Sequence, residues 1–185
     1  MATNILPDQV YLRECFEHDP DSGALRWKER PAYHFPPSGR KSSLHLQRIW
    51  NAKWAGKIAG SPQPRGYIFI RFAGYNTSAH QVIWKMYYGT EPLQVDHWDT
   101  DTTNNRIGNL RAATHNQNCW NQSLQPKNQS GFKGVSWSPE KGRYRARITH
   151  FRRQVWLGYF DAPEDAHTAY CAAAKRLFGE FWNPG

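Results

Sequence analysis

The stretch from Val95 to Asn118, VDHWDTDTTNNRIGNLRAATHNQN, sets a carboxylate and an imidazole side by side at Asp96 and His97 and reaches an amide at Asn118. A neutral imidazole can take a proton from water, and a carboxylate with an amide oxygen suits a hard cation such as Mg²⁺. Hydrolysis of a phosphodiester needs both, a base for the attacking water and positive charge near the phosphate and the leaving oxygen. The three cysteines, Cys15, Cys119 and Cys171, are far apart and form no CxxC pair. That spacing argues against a disulfide framework and a structural zinc knuckle, so any metal must use oxygen and imidazole ligands.

These side chains need elements to hold them. Gln94-Val95 reads as a short strand leading into Asp96-His97, Asn109 to Ala113 as a returning strand, and Thr114 to Gln122 as a short helix. Thr114 followed by Gln117 has capping-box spacing, which fixes the start of that helix and the register of Asn118. Two strands and a helix can bring Asp96, His97 and Asn118 together. Upstream, Gly66 to Phe72 alternates as a strand and Gly74 to Asn76 offers turn chemistry. His80 to Tyr88 then has Val82, Ile83, Met86 and Tyr87 at helical spacing before Gly89 stops it.

Residues 7 to 27 predict an amphipathic helix anchored by Val10, Leu12, Cys15 and Phe16, a turn over Asp19 to Gly23, and a strand ending at Trp27. From 31 to 64 the chain is rich in Pro, Ser, Arg and Trp without sustained periodicity, and a loop region with little regular structure is expected. His80 and His115 are expected as packing or helix-surface histidines. Asn121 fits the spacing from His97 less well than Asn118.

SLQPKNQSG, residues 123–131, lacks apolar anchors and reads as a linker. Beyond it the composition changes: Lys127 to Phe160 has eight Lys and Arg against the single acid Glu140. Arg143, Arg145, Arg147 and Thr149 alternate with Tyr144, Ala146 and Ile148, giving a strand with one basic and one buried face. In the next strand, Arg153 to Phe160, Val155, Leu157 and Tyr159 are expected on the buried side, with Gln154 and Trp156 on the basic side. Asp161, with Glu164 three residues on, then starts a helix whose apolar face is Ala166, Ala169, Tyr170, Ala173 and Leu177, ended by Gly179. The helix should cover the apolar face of the sheet and leave the arginines open.

The run DH-x-D-x-D-x-x-NNR-x-x-NLR, with Ala79 to Trp84 as lead-in helix, resembles the HNH endonuclease family of phage homing type over roughly residues 66–122. The resemblance implies His97 as general base, Asn105 as the residue pinning the loop that orients it, and Asp96 and Asn118 as metal ligands. It implies cleavage to a 3′-hydroxyl and a 5′-phosphate. Two departures stand in the loop, Thr100 where a glycine is usual and Trp98 in place of a smaller or aliphatic residue.

The segments Gly131 to Val135, Tyr144 to Ile148, Trp156 to Phe160 and Ala166 to Gly179 resemble the ethylene-response-factor (AP-two type) DNA-binding domain over nearly all of residues 130–181. That family inserts a three-stranded sheet into the major groove. The resemblance implies DNA contacts from Lys133, Arg143, Arg145, Arg147, Thr149, Arg153, Gln154 and Trp156, with Arg152 also near phosphate. Ser136 stands where that family has an arginine.

Together these readings predict an α+β chain: a ββα-metal nuclease domain over 1–122, with its core at about 66–122, a linker at 123–131, and a three-stranded antiparallel sheet packed on one helix over 132–185. The formal charge of +9 over 185 residues favours a polyanionic partner, nucleic acid ahead of a membrane surface. No window has the length and apolarity of a leader or a membrane span, so the cytosol, of a host cell if phage-encoded, is expected. Double-stranded DNA is the expected partner, Mg²⁺ the expected ion with Mn²⁺ as alternative, and a nicking monomer the expected form. Two rivals stand beside this reading. One is a DNA-binding regulator with a vestigial nuclease fold, which would have been expected to lose at least one of Asp96, His97 and Asn118. The other is an RNA-binding or RNA-cutting protein.

Overall fold

The computed structural model describes residues 5–64 and 66–185. Residues 1–4, where the stretch read for a leader begins, lie outside them. The chain divides into two compact units, residues 1–112 and 113–185. The expected boundary at residue 122 differs from this division, which groups the helix after Thr114 with the C-terminal unit.

In the N-terminal unit, α1 (Gln9–Cys15) starts at Asp8, whose carboxylate accepts from the Tyr11 N–H at 2.8 Å. It buries Leu12 and Cys15, whereas Val10, expected as an anchor, is exposed. Phe16 begins a strand rather than ending the helix: β1 (Phe16–His18) pairs antiparallel with β2 (Leu25–Trp27) around the expected turn.

The region expected to lack regular structure contains α2 (Ser43–Trp54), capped by the Ser42 hydroxyl. No residue of α2 is buried, which is why no apolar period announces it. The helix is held by polar bonds instead: the Asn51 and Gln47 side-chain amides donate to the Arg30 carbonyl, and Arg30 N–H returns to Asn51 Oδ1 at 3.0 Å. The Trp50 ring adds an edge contact to Trp27, centroids 5.1 Å apart.

A three-stranded antiparallel sheet follows, β3 (Ser61–Pro62), β4 (Ile68–Phe72) and β5 (Tyr75–Ser78), in that order. The turn chemistry expected at residues 74–76 resolves into a two-residue hairpin at Ala73-Gly74, both with positive φ, and β5 is a strand that the alternation had not announced. Next, α3 (Ala79–Tyr88) buries Val82, Ile83 and Met86 and ends on left-handed Gly89, as its pattern predicts, whereas Tyr87 of the same pattern is 40% exposed. Val82, Ile83 and Met86 join Leu12, Phe16, Trp27, Ile70, Phe72, Val95 and Leu110 in one core. Each large apolar side chain buried there contributes roughly 1.5–3 kcal/mol. The short strands β6 (Gln94–His97) and β7 (Leu110–Ala113) pair with each other.

The C-terminal unit opens with α4 (His115–Asn121) and its capping box: Thr114 Oγ accepts from Gln117 N–H at 3.3 Å, and Gln117 Oε1 accepts from Thr114 N–H at 2.7 Å. Strands β8 (Val135–Ser138), β9 (Arg143–His150) and β10 (Arg153–Phe160) form an antiparallel sheet in the order β10-β9-β8, packed on α5 (Pro163–Phe178). Ile148 and Ala146 face Tyr170, Ala173, Ala174 and Ala166. Two details differ from expectation. Asp161 does not cap α5: its carboxylate binds Arg143, and Ala162 is the cap residue. The apolar face of α5 also runs through Ala174 and Phe178, with Leu177 only half-buried. No helix among the described residues is long and apolar enough to cross a membrane.

Candidate active site and nucleic-acid interface

Strand β6 carries Asp96 and His97 into the N-terminal unit at 4% and 3% exposure, and the loop after it brings back Asn105 at 1%. His97 Nε2 lies 2.9 Å from Asn105 Oδ1. An amide oxygen can only accept, so Nε2 carries the hydrogen and a neutral His97 keeps its lone pair on Nδ1. Asn105 thereby fixes both the orientation and the tautomer of the ring.

Asp96 is oriented by a residue that the sequence reading passed over. Arg111 on β7 donates from Nε and Nη2 to Asp96 Oδ2, at 2.9 and 2.8 Å. Its guanidinium also lies over the Trp98 ring, 4.4 Å from the centroid. The aromatic residue that departs from the family pattern thus backs the arginine holding the carboxylate. The signal was Arg111 itself, one residue past an inward-facing Leu110 on a returning strand.

The loop uses its own acids for shape. Asp99 accepts from the Asp101 N–H at 2.9 Å and from the side-chain amides of Asn104 and Asn109 at 2.6 and 2.9 Å. Asp101 accepts from the N–H and hydroxyl of Thr103, and the hydroxyl bond holds its carboxyl below the usual range. Thr100 has φ of 66°, the left-handed conformation for which the resembling family keeps a glycine.

Residues far upstream brace Asn105. His18 Nε2 donates to the Asn105 carbonyl at 3.1 Å, and the Tyr87 hydroxyl donates to His18 Nδ1 at 3.1 Å. Burial lowers the His18 pKa, which suits a neutral ring that donates on one side and accepts on the other. Gly23 comes so close to the loop that a Cβ there would lie 2.7 Å from Arg106 N and 2.8 Å from the Asn105 carbonyl carbon, at a φ of 74°. Arg106 in turn donates from Nε to the Asp21 carbonyl. The β1–β2 turn is therefore a floor for the Asn105 loop. Nothing local in the sequence marks His18 or Gly23 for this role, since the contacts span more than 80 residues.

His80, expected as a packing residue, is buried edge-on to His97 with centroids 5.0 Å apart. Its Nε2 is 3.1 Å from Ser78 Oγ. Burial, aided by His97, holds its pKa down to about 3, so this ring is neutral at ordinary pH. Asn118 is half-buried on α4, in the C-terminal unit. Among the described residues no three His, Cys, Asp or Glu cluster as metal ligands.

On the C-terminal sheet, Arg147 pairs across strands with Trp156 and Thr149 with Gln154, so all four share one face. Trp156 is 52% exposed and meets the Tyr159 ring edge-on at 4.7 Å. Tyr159 was expected on the buried side. A bulge between Trp156 and Gly158 shifts the register, pairs Tyr159 with Arg145, and turns Tyr159 to the basic face while Leu157 and Phe160 pack inward. Arg145 donates to Ser136 Oγ at 2.8 Å, using the position where the resembling family has arginine. Arg143 forms a two-bond pair with Asp161 at 2.7 and 2.9 Å. Arg152 and Phe151 turn the β9–β10 hairpin with positive φ, and Arg153 is exposed beside them.

Lys133 makes contacts within its own unit. Expected at DNA, its ammonium donates instead to the carbonyls of Trp120, Gln122 and Asn183, at 3.0, 2.5 and 3.0 Å. It ties α4 and the C-terminal end of the chain to the start of the sheet. The Trp120 ring, stacked on Phe178 at 4.6 Å and 7°, completes that joint.

Comparison with known proteins finds a family match in each of the two parts of the chain. An HNH endonuclease family matches residues 78–119, and the AP2 domain family matches residues 130–180. Protein 3.8 of Escherichia phage T7 is 36% identical over 104 residues, covering 55% of this chain and 85% of that protein. An HNH endonuclease of Acanthamoeba polyphaga mimivirus, described as uncharacterized, is 34% identical over 92 residues, covering 50% of this chain and 46% of the relative. The chain thus spans about half the length of that second protein. No solved structure matches it. The Asp96-His97 strand and its asparagine-braced loop lie inside the first matched stretch, the arginine-bearing sheet inside the second, and the chain belongs to the HNH endonuclease family, with an AP2 domain at its C-terminal end.

Proposed function

We propose that this protein is a metal-dependent DNA endonuclease of homing type that hydrolyses a phosphodiester bond in double-stranded DNA, nicking one strand as a monomer in the cytosol of a host cell. The observation that carries the proposal is the buried His97–Asn105 pair at 2.9 Å, which leaves Nδ1 of a neutral His97 as the basic atom. In this reading Nδ1 takes a proton from water, the resulting hydroxide attacks phosphorus, the P–O3′ bond breaks, and the departing 3′-oxygen takes a proton from solvent water. The products are a 5′-phosphate and a 3′-hydroxyl.

Asp96 and Asn118 are the residues that would hold the ion, as the third layer of a ββα-metal arrangement. Their carboxylate and amide oxygens suit a hard ion that keeps water and phosphate oxygens in its shell. Bound Mg²⁺ or Mn²⁺ would supply positive charge to the phosphorane and the leaving oxygen. Arg111 fixes the Asp96 carboxylate through Oδ2. The sheet face of Arg147, Thr149, Gln154 and Trp156, with Arg143, Arg145, Arg152 and Arg153 around it, would hold the duplex.

Metal titration of DNA cleavage tests the proposal. Asp96→Ala and Asn118→Ala should each need at least about tenfold more Mg²⁺ for half-maximal cleavage. The nicks made by the wild type should be sealed directly by DNA ligase, as 5′-phosphate and 3′-hydroxyl ends are. Undiminished cleavage in EDTA, or nicks that ligase cannot seal, would contradict it.

A further inference from the structure

Residues 26–76 lie outside both family matches, and they hold ten Lys and Arg against one carboxylate, Glu29. That net charge equals the +9 of the whole chain. Such an excess is usually a solvated surface, so its arrangement decides what it can do. Arg26, Lys28, Arg40, Lys41, Arg48, Lys53, Lys57 and Arg71 are all exposed or half-exposed, and none has a carboxylate within ion-pair distance among the described residues. Where such cations lie close together they repel one another, and a polyanion lowers that repulsion.

Four of these cations, Arg26, Lys53, Lys57 and Arg71, stand at or beside a groove of about 960 Å³ between the end of α2 and the β3-β4-β5 sheet, lined by Trp54, Ile58, Gln63, Phe69, Arg71 and Asn76. Lys53 and Lys57 sit over the Trp54 ring, 5.0 and 5.9 Å from its centroid. Phe69 and Arg71 point outward from β4, with Asn76 paired opposite Arg71. Arg26 donates to the Gly56 carbonyl at the same end of α2. Clustered cations, amide side chains and an open aromatic face are the groups that grip a phosphodiester backbone.

We propose that this groove is a second DNA-binding surface, which holds the sugar-phosphate backbone of duplex DNA on the unit that carries Asp96 and His97. The inference rests on the nuclease reading and deepens it: the unit that carries the base then has its own hold on the substrate, besides that of the AP2 sheet.

The test is the salt dependence of binding to a fluorescein-labelled DNA duplex, read by anisotropy across a KCl series in EDTA with the full chain. Each phosphate contact contributes about 0.9 to the slope of log K against log salt. Lys53→Gln/Lys57→Gln/Arg71→Gln should flatten the slope by about 2 to 3 and weaken binding at low salt by at least about tenfold, with an unchanged melting curve. Lys175→Gln/Arg176→Gln removes exposed charge from the last turn of α5 and should leave the slope near wild type. Trp54→Ala, which alters no charge, should weaken binding without flattening the slope. An unchanged slope in the triple variant overturns the surface while leaving the nuclease reading intact. Equal flattening by the α5 pair also overturns it, as an effect of net charge alone, and so does flattening seen with duplex RNA but not DNA. No binding of the wild type to duplex DNA would sink both this surface and the nuclease reading.

Discussion

The imidazole of His97 is oriented by the Asn105 amide oxygen, and Asn105 is itself braced by His18, 87 positions away in the chain. His18→Phe keeps a ring against Tyr87 and removes both hydrogen bonds of the brace. Cleavage should slow by about ten- to a hundredfold while DNA affinity stays within a factor of about two, because a displaced base costs rate and not binding. A variant with wild-type turnover, or one that loses affinity and rate together, would show that His18 does not act through Asn105. Thr100 is a second residue-scale test. A β-branched residue at φ of 66° is strained by about 1–2 kcal/mol, part of which glycine gives back as unfolded-state entropy. Thr100→Gly should therefore raise stability in urea by about 0.5–1 kcal/mol, and a destabilised variant would mean that the threonine side chain is worth more than the strain. Asp96 and His97 were legible in the sequence as neighbouring residue types, and Asn105 only through the family resemblance. Arg111, His18 and Gly23 were not, because their roles exist only once β7 and the β1–β2 turn are folded beside the loop.

Elements with a regular apolar period announced themselves: α3 through Val82, Ile83 and Met86, β9 through its strict alternation, and α4 through the Thr114–Gln117 box. Elements built on other physics did not. Helix α2 docks by amide bonds to Arg30 and by Trp50, so it left no hydrophobic stripe to read. The bulge in β10 reversed the side of Tyr159, because one extra residue inverts every later position of a period-two pattern. Just before β8 the backbone comes close to α5 at Gly134, where a Cβ would lie 2.0 Å from the Tyr170 ring at a φ of 76°. Gly134→Ala should cost about 3 kcal/mol or more of stability, by forcing the ring out of the C-terminal core. Gly142→Ala, at a φ of 60° with nothing within 4 Å of the added carbon, should cost only about 1 kcal/mol. Equal losses in thermal unfolding would place the cost in backbone strain rather than in packing.

At the scale of the whole chain, the first compact unit holds the buried His97 imidazole and Asp96 carboxylate, and the second presents an open arginine and tryptophan face. Both resemblances named from the sequence are matched by family at 78–119 and 130–180, and the HNH match crosses the division between the units at residue 112. The basic segments 26–76 and 127–160 together exceed the chain's net charge of +9, which leaves the remaining residues acidic and concentrates the positive field in two places. The first segment was read only as a loop region rich in Arg and Trp over 31–64, and its groove was not legible because α2 was hidden. The central claim is that His97 is the base of a DNA nuclease, and supercoiled-plasmid cleavage with Mg²⁺, wild type beside His97→Ala, tests it most directly. The account predicts nicked circles from the wild type ahead of any linear DNA, at least about a hundredfold less nicking by the variant, and equal DNA affinity for the two. Equal nicking by both proteins, or no Mg²⁺-dependent nicking by the wild type, would contradict it.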